Sequence, residues 1–408
     1  MKVRLLNKHF DVIAAGAGAS GMAASISAAS RGKNVLLLEK GERPGRKILA
    51  SGNGRCNLMN YGPPRYYGDA GFAETVLRAC TPAMITAFFN HYGLMLTREE
   101  EGRVYPLSCQ ASTVLSVLKT AMEIHNVKVL TNSPVSEIVR NGSEFSVITE
   151  SGDCFSAGRV IISCGGTAQP RLGGSADGYR LLQSLGHSVI RPFPSLVPLT
   201  TDSKSISGLS GIRVRCRVSL VEDHAVLHTA EGEALFTDYG ISGICVMQCA
   251  RFSEGRKAHL ELNLLYQAFQ NEQQITDEMK RMRTLYDGFS PLCLLDGMLH
   301  QKVAYAVLKQ AGIPMRGEKA GDLSDDQLLR IAETASRYRV MITGSRGFDF
   351  AQVTAGGAVC SEFEPSTMQS RIVPGLYAAG EVLNVDGDCG GFNLMFAFSS
   401  GLIAGRSV

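Results

Sequence analysis

The chain has 408 residues, of which 45% are hydrophobic and 19% charged, and its formal net charge is +3. This composition permits large folded cores, and the sequence has neither a dense Lys/Arg tract of the kind that binds nucleic acid nor an apolar run long enough to cross a membrane. Its 11 cysteines at irregular spacing are typical of a reducing compartment, so we expect a cytoplasmic protein with no metal site, no membrane attachment and no nucleic-acid partner.

The first predicted elements form a dinucleotide-binding βαβ unit. An apolar strand, residues 11–15, leads into the sequence GAGASG, and a small-residue helix and a second apolar strand follow. In such a unit the first glycine permits a tight turn, the second lets the backbone approach a pyrophosphate, and the third lets the helix pack on the sheet. These roles fall on Gly16, Gly18 and Gly21. Glu39 ends the second strand, where an acid accepts hydrogen bonds from ribose hydroxyls.

The pattern then predicts an α/β domain that is interrupted by an insert. Residues 41–60 combine Arg and Lys with several glycines, which suits a diphosphate and a flat ring system. A proline-rich stretch near residue 195 marks a boundary. Alternating strand-like segments follow over 196–268, and a charged helical region follows over 269–340. We therefore expect a cofactor domain made of residues 1–195 and 341–408. We expect the insert to lie over the cofactor and to form a wall of the substrate pocket.

The C-terminal segment favours FAD over NAD as the resident cofactor. A second glycine-rich segment, PGLYAAGE, would bring the backbone close to the cofactor. It ends in Glu381, which is placed to accept a hydrogen bond from a ribityl hydroxyl. A closing helix begins near Gly391, and its N-terminal N–H groups would stabilise an anionic reduced flavin. No second GxGxxG motif follows a strand, so NAD(P)H is expected only as a transient electron donor at the flavin.

Five residues are candidates for catalytic roles: Arg103, Tyr105, Asp238, Tyr239 and Arg346. An arginine polarises a carbonyl group or holds a carboxylate, and a tyrosine donates a proton to carbon when an enone is reduced.

Several motifs together resemble the BaiN-like flavoprotein family, which is also labelled the aminoacetone oxidase family of FAD-binding enzymes. The motifs are GRKILASGNGRCN, GRVYP, GISG, VTAGGAV, PGLYAAGEVLNVDG and GGFNLMFAFSSGLIAG. The resemblance covers residues 11–408. It implies a glutathione-reductase-like FAD-binding Rossmann domain with an inserted domain that is partly a β-barrel and partly helical.

The same resemblance implies a set of residues that contact a non-covalently bound FAD. They are Gly16, Gly18, Ser20, Gly21, Glu39, Lys40, Arg46, Lys47, Ser51, Gly52, Asn53, Gly54, Cys56, Asn57, Val135, Cys164, Gly165, Gly166, Gly380, Glu381, Asp386, Gly387, Gly391, Phe392, Asn393 and Leu394.

The chain departs from the family pattern at a few positions. Asp238 stands where the family usually has His, Ile244 where it often has Pro, and Asn384 where it often has Asp. The family sequence Tyr-Asn-Leu-Gln is replaced by residues 392–395, Phe-Asn-Leu-Met. Asp238 and Met395 are expected near the flavin or the mouth of the substrate pocket, so no family member's substrate is carried over.

These observations favour an FAD-dependent oxidoreductase that acts on a small organic substrate. Within that class, NAD(P)H-linked reduction of an activated C=C or carbonyl-conjugated compound competes with oxygen-dependent oxidation of an amine such as aminoacetone. A flavin-containing RNA-modification or regulatory module is the alternative of another class. The modest charge of +3 disfavours that alternative.

Overall fold

The computed structural model describes residues 4–408, with side chains from residue 9 onward. The chain divides into two compact units. The first unit contains residues 1–194 and 351–408, and the second contains residues 195–350.

The helices and strands follow in chain order. The helices are α1 (Ala19–Ala29), α2 (Arg46–Ala50), α3 (Ala70–Ala79), α4 (Pro82–His91), α5 (Ala111–Ile124), α6 (Asp177–Ser184), α7 (Ile244–Ser253), α8 (Glu272–Leu285), α9 (Gln301–Gln310), α10 (Asp325–Ser336) and α11 (Phe392–Ser407). The strands are β1 (Arg4–Ala15), β2 (Val35–Leu38), β3 (Met59–Asn60), β4 (Tyr66–Gly68), β5 (Leu96–Arg98), β6 (Arg103–Pro106), β7 (Lys128–Leu130), β8 (Val135–Asn141), β9 (Glu144–Thr149), β10 (Asp153–Ile162), β11 (Val189–Ser195), β12 (Leu199–Thr201), β13 (Arg213–Glu222), β14 (Ala225–Phe236), β15 (Gly240–Ser242), β16 (His259–Asn263), β17 (Tyr338–Ser345), β18 (Val353–Ala358), β19 (Leu376–Ala378) and β20 (Val385–Gly387).

The first unit is built on a sheet in the order β7-β2-β1-β10-β9-β8, with β19 paired to the end of β10. Strands β7, β2, β1, β10 and β19 are parallel, and β8 and β9 add an antiparallel edge. All four residues of β2 are buried. Such continuous burial is expected of parallel strands covered on both faces, so the predicted α/β Rossmann-type fold is confirmed.

Helices α1 and α11 pack closely against each other. A Cβ atom on Gly401 of α11 would lie 2.4 Å from the carbonyl oxygen of Ser20 in α1, and one on Gly405 would lie 2.2 Å from that of Ala24. The two backbones therefore approach closely only because these positions lack side chains.

The second unit contains a closed barrel in the order β12-β15-β14-β13-β16-β17. Helix α7 packs on β13 and β14, and α8 and α10 pack on each other. Strand β17 corrects the predicted boundary at residue 341. It pairs with β12 and β16 and so closes the barrel, because its residues up to Ser345 carry the hydrogen-bonding edge that β12 needs. Residues 341–350 therefore lie in the second unit.

Over the described part of the chain, every helix is too short or too polar to span a lipid bilayer.

A buried histidine ties together three segments of the first unit. Nδ1 of His187 lies 2.9 Å from Oε2 of Glu362, and its Nε2 lies 3.0 Å from Oγ of Ser370. Its ring also stacks on Phe363 at a centroid distance of 4.6 Å. Burial lowers the pKa of His187. Although burial acts in the opposite direction on Glu362, hydrogen bonds from Ser188 and His187 lower the pKa of that carboxyl.

These pKa shifts predict an acid-sensitive first unit. Unfolded His187 takes up its proton at a pH near 6.5, whereas the buried ring takes it up only at lower pH, so the free energy of unfolding falls as the pH falls, by up to ~1.4 kcal/mol per pH unit. The lowered pKa of Glu362 extends this loss to more acidic pH. In His187→Gln, the unfolding temperature should depend less on pH between about 7 and 5 than it does in the wild type. The exposed His91→Gln control should follow the wild type, and parallel curves for all three proteins would contradict the assignment.

Candidate cofactor and active site

The three glycines of the first turn have different surroundings. A Cβ atom on Gly16 would lie 2.6 Å from the carbonyl oxygen of Ser163, and one on Gly21 would lie 1.9 Å from that of Gly16. Among the described residues, a Cβ atom on Gly18 would have no neighbouring atom within 4 Å. Gly18 is also the N-cap of α1, and no described side chain caps this helix. The turn therefore presents open space and uncapped N–H groups at the helix N-terminus, which is an arrangement that binds phosphate.

The carboxylate of Glu39 is held beside this turn. Its Oε2 accepts a hydrogen bond from the backbone N–H of Ala17 at 2.9 Å, and its Oε1 accepts one from Gly41 at 2.7 Å. The backbone carbonyl of Glu39 accepts from Ser133, just before Val135 begins β8. Each carboxylate oxygen has a second lone pair, so the side chain retains capacity for ribose hydroxyls.

Two of the predicted basic contacts have partners within the protein. Nζ of Lys40 lies 3.1 Å from Oδ2 of Asp177. Arg46 is exposed, and its guanidinium donates to the carbonyl oxygen of Arg171 at 2.6 Å. The expectation that Arg46 faces a pyrophosphate stays a prediction.

The carboxylate of Glu381 joins four separate segments. Its Oε1 accepts from the backbone N–H of Thr354 at 2.7 Å, and its Oε2 accepts from Nζ of Lys47 at 2.7 Å and from the backbone N–H of Gly166 at 3.3 Å. The adjacent Gly165 has a φ of 72°, and a Cβ atom there would lie 3.8 Å from both Oε2 of Glu381 and Nζ of Lys47. Three of the roughly four acceptor positions of a carboxylate are therefore used inside the protein.

The glycine-rich loop after α2 adopts left-handed backbone conformations. Residues Ser51–Gly54 form a short 3-10 turn in which Gly52 and Asn53 have φ values of 56° and 54°. Cys56 also has a positive φ, of 57°, and burial raises the pKa of its thiol to about 11. The strained loop ends at Asn57, whose buried Oδ1 has no hydrogen-bond partner in the part of the chain that the structure describes. Strained backbone of this kind is common at ligand-binding sites.

Asn393 fixes the backbone just before α11 through two hydrogen bonds to Gly387. Oδ1 of Asn393 accepts from the backbone N–H of Gly387 at 2.8 Å, and Nδ2 of Asn393 donates to the carbonyl oxygen of the same residue at 2.8 Å. Asp386 is buried within β20, and the carbonyl oxygen of Phe392 accepts from the hydroxyl of Tyr66 at 2.8 Å. Asn393, predicted to contact FAD, thus uses its side chain to fix the loop before the helix.

The other predicted cofactor residues considered next also lie in the first unit. The backbone N–H of Gly380 donates to Oγ of Ser400 at 2.9 Å, and a Cβ atom there would lie 2.5 Å from Oγ of Ser20. Leu394 is half-buried against the core. Burial raises the pKa of the Cys164 thiol to about 12, so this cysteine remains protonated.

These residues fit a bound FAD on two observations. The position of a Cβ atom on Gly18 is open. Two buried polar atoms, Asn57 Oδ1 and Thr167 Oγ1, have no hydrogen-bond partner among the described residues, and both lie on or next to predicted cofactor segments. Thr167 follows the predicted contact Gly166. The hydroxyl of Tyr179 interacts with the side chains of Thr354 and Glu381. Buried polar atoms are normally paired, so orphans of this kind indicate groups that a ligand or water satisfies.

Tyr105 and Arg103 lie together on β6 in the first unit. The guanidinium of Arg55 stacks over the Tyr105 ring at 4.2 Å from its centroid, and it also pairs with Glu99. Arg103 pairs with Glu101 at 2.5 Å. Burial raises the pKa of Tyr105, although Arg103 and Arg55 act in the opposite direction, so the phenol stays protonated at neutral pH.

The other three catalytic candidates lie in the second unit. The guanidinium of Arg346 is sandwiched between two rings, at 4.1 Å from the centroid of Tyr239 and 3.8 Å from that of Phe350. Asp238 is exposed at the tip of the turn between β14 and β15, where Thr237 bonds to Gly240. The five candidates therefore form two groups, one in each unit.

Sequence reasoning missed three parts of this site. It placed Arg55 in the basic loop but did not predict its stacking on Tyr105. It did not identify Thr354, whose backbone N–H binds Glu381 and whose hydroxyl accepts from Ala168 at 2.9 Å. It also missed Tyr179. The VTAGGA motif was a usable signal for Thr354, but no local pattern distinguished Tyr179 from an ordinary core tyrosine.

A family model described as "HI0933-like protein Rossmann domain" matches residues 10–407. The chain is 35% identical over 409 residues to the 3-dehydro-bile acid delta(4,6)-reductase of Clostridium scindens, in an alignment that covers 96% of this chain and 97% of that protein. It is 30% identical over 404 residues to the ribosomal RNA dihydrouridine synthase of Escherichia coli, with 96% of each chain covered. Among solved structures, the open conformation of a flavocytochrome c3 fumarate reductase matches with a TM-score of 0.48 and 15% identity, and the match covers 98% of this chain and 78% of that one.

The different surroundings of the glycines predict different consequences of substitution. Gly18→Val should fold normally, because its Cβ position is open, but it should weaken FAD binding by about a hundredfold or more through lost charge-assisted bonds to the phosphates. Gly21→Val should instead lower the unfolding temperature of the apoprotein, since overpacking costs about 1–3 kcal/mol. FAD titration and thermal unfolding of the apoproteins measure the two effects. A folded Gly18→Val protein that binds FAD normally would refute the phosphate placement.

Proposed function

We propose a function for this chain on the basis of its family, because the chain belongs to the HI0933-like proteins with a Rossmann domain. The protein is an FAD-dependent oxidoreductase that acts on a small organic substrate. The finer proposal is that it reduces a C=C bond conjugated to a carbonyl group and takes its electrons from NAD(P)H.

The observation that carries this proposal is the near full-length similarity to the Clostridium scindens enzyme. The name of that enzyme describes a reductase of the Δ4 and Δ6 bonds of a 3-dehydro, that is 3-oxo, bile acid. Those bonds are conjugated to the carbonyl group. Dihydrouridine synthesis, the activity named for the Escherichia coli relative, likewise saturates a C=C bond conjugated to a carbonyl group of uracil. The common chemistry of both relatives is therefore reduction of an activated C=C bond.

Such a reduction needs a hydride at the β-carbon, a proton at the α-carbon and stabilisation of negative charge on the carbonyl oxygen. Bound FAD, once reduced by NAD(P)H, would supply the hydride. We assign the proton to the hydroxyl of Tyr105, because burial keeps this phenol protonated and Arg55 holds its ring from one face. Arg103 lies two residues away on the same strand and is a candidate for polarising the carbonyl group.

Anaerobic half-reactions test the proposal directly. NADH or NADPH should bleach the flavin absorbance, and 2-cyclohexen-1-one or a 3-oxo-4-ene steroid should restore it with formation of the saturated ketone. Admission of air in the presence of aminoacetone, with peroxide measured, tests the amine-oxidase alternative in the same preparation. A reduced protein that every enone leaves reduced would overturn the proposed reaction.

Tyr105→Phe should slow reoxidation of the reduced protein by an enone about 100-fold or more, in the range that loss of a general acid produces. Reoxidation by ferricyanide should not change, because that acceptor requires no proton at carbon. Tyr61→Phe is a matched control, since Tyr61 also carries a guanidinium, that of Arg98, over its ring at 5.0 Å. If both variants reduce enones at the wild-type rate, Tyr105 is not the donor.

Uracil within ribosomal RNA is a second candidate substrate, and the specific observation that favours it is the similarity to the synthases of Escherichia coli and Haemophilus influenzae. Binding through phosphates weakens steeply with salt, whereas turnover of an uncharged enone does not. Under the first proposal, we expect enone turnover that is insensitive to added NaCl and no dihydrouridine in rRNA incubated with the reduced protein. Salt-sensitive formation of dihydrouridine would favour the second candidate.

A further inference from the structure

The guanidinium of Arg346 has both of its faces covered by aromatic rings. Its central carbon lies 4.1 Å from the centroid of the Tyr239 ring and 3.8 Å from that of the Phe350 ring. A guanidinium has five N–H donors that all lie in its own plane, so rings on its two faces leave its edges open for hydrogen bonds. The two rings therefore fix the plane in which Arg346 presents its donors.

The short strand β12 brings Arg346 and Tyr239 together. The backbone N–H of Arg346 donates to the carbonyl oxygen of Pro198, just before β12, at 3.0 Å. The backbone N–H of Thr201, the last residue of β12, donates to the carbonyl oxygen of Tyr239 at 3.3 Å. The arginine side chain thus extends along β12 from one end to the ring at the other, and the barrel backbone fixes both of its ends.

Within the described part of the chain, the positive charge of Arg346 has no acidic partner. The contacts of its guanidinium are the two aromatic rings. Asp238 and Asp349 are near in sequence and exposed, but neither forms an ion pair with this arginine in the structure. Arg346 is half-buried, so part of its water has been replaced by rings without any acid to compensate.

Other stacked arginines of the chain are paired. The guanidinium of Arg217 lies 5.3 Å from the centroid of Tyr266, and its Nε donates to Oε1 of Glu231 at 2.8 Å. Arg55, which stacks on a tyrosine in the same way, also pairs with a glutamate. Arg346 therefore combines a fixed orientation with an unused charge, which is the arrangement that suits a charged ligand.

We propose that the substrate of this protein carries a carboxylate and that Arg346 binds it through two parallel hydrogen bonds. The two oxygens of a carboxylate match the fork of donors on a guanidinium. A carboxylate is also planar, so both of its oxygens can lie in the plane that Tyr239 and Phe350 fix, whereas the oxygens of a tetrahedral phosphate cannot. Arg346 is thus a binding residue with no part in hydride or proton transfer. The inference rests on the proposed function and narrows its substrate class to an enone that bears a carboxylate.

The experiment compares 3-oxochol-4-en-24-oic acid with its methyl ester, which has the same conjugated enone but no charge. Calorimetric titration of the oxidised holoprotein measures both affinities without any turnover. The wild type should bind the acid about ten- to a hundredfold more tightly than the ester, in the range of charge-assisted hydrogen bonds. Equal affinities, or binding of neither compound, would overturn the proposal. This comparison needs no variant and stays decisive if substitutions at Arg346 prevent folding.

Variants assign the preference to one side chain. Arg346→Gln should bind the acid and the ester equally and should bind the ester as the wild type does. Arg346→Lys keeps the charge but lacks the planar fork, so it should lose most of the preference. Arg217→Gln is the matched control and should keep the preference, because Glu231 already uses that charge. A loss in Arg217→Gln equal to that in Arg346→Gln would indicate a general effect of positive charge and overturn the assignment.

The same titrations separate the carboxylate from the phosphates of a nucleotide. Arg346→Gln should bind NADH and NADPH as the wild type does. Weaker binding of NADPH together with an unchanged preference for the acid would assign Arg346 to a phosphate and overturn the proposal. Failure of the proposed function has a different signature: the wild type would bind the acid more tightly than the ester, yet both compounds would leave its reduced flavin reduced.

Discussion

The carboxylate of Glu381 holds together the parts of the first unit that precede and follow the insert. It binds Lys47 and Gly166 from before residues 195–350, and Thr354 from after them. A half-buried carboxylate with three hydrogen-bond donors is well stabilised, and removing it would leave an ammonium and two N–H groups without an acceptor. This one group therefore connects the loop after β10, the start of β18 and a side chain of helix α2.

The predicted cofactor site consists chiefly of backbone groups, while many of its polar side chains bind one another. Lys40 and Lys47 pair with acids, and Asn393 clamps Gly387. What remains for a ligand is the uncapped end of α1, the uncapped end of α11 and a few orphaned acceptors and hydroxyls. A site of this kind requires glycine wherever the chain approaches the ligand, and it tolerates considerable side-chain variation elsewhere.

The chemistry proposed for the site needs little from the protein beyond position and a proton. Burial of Tyr105 keeps its phenol protonated, and the guanidinium of Arg55 over its ring restricts the ring's motion. The same requirements hold for a 3-oxo bile acid and for uracil, since both contain a C=C bond conjugated to a carbonyl group. The proposed catalytic arrangement is therefore compatible with either substrate. The residues that select between them must contact the parts of the substrate outside the conjugated C=C bond and carbonyl group.

The sequence by itself determined the βαβ unit, the close packing of Gly21 in its turn, and the existence of an insert, because these depend on residues close together in the chain. The spacing of Gly16, Gly18 and Gly21 was sufficient to distinguish the packed glycines from the open one. Only the tertiary structure decided that residues 341–345 complete the barrel, that Lys47 pairs with Glu381, and that Arg55 covers Tyr105. These contacts join residues from about 50 to more than 300 positions apart, and hydrophobic periodicity and local turn preferences carry no information about such partners.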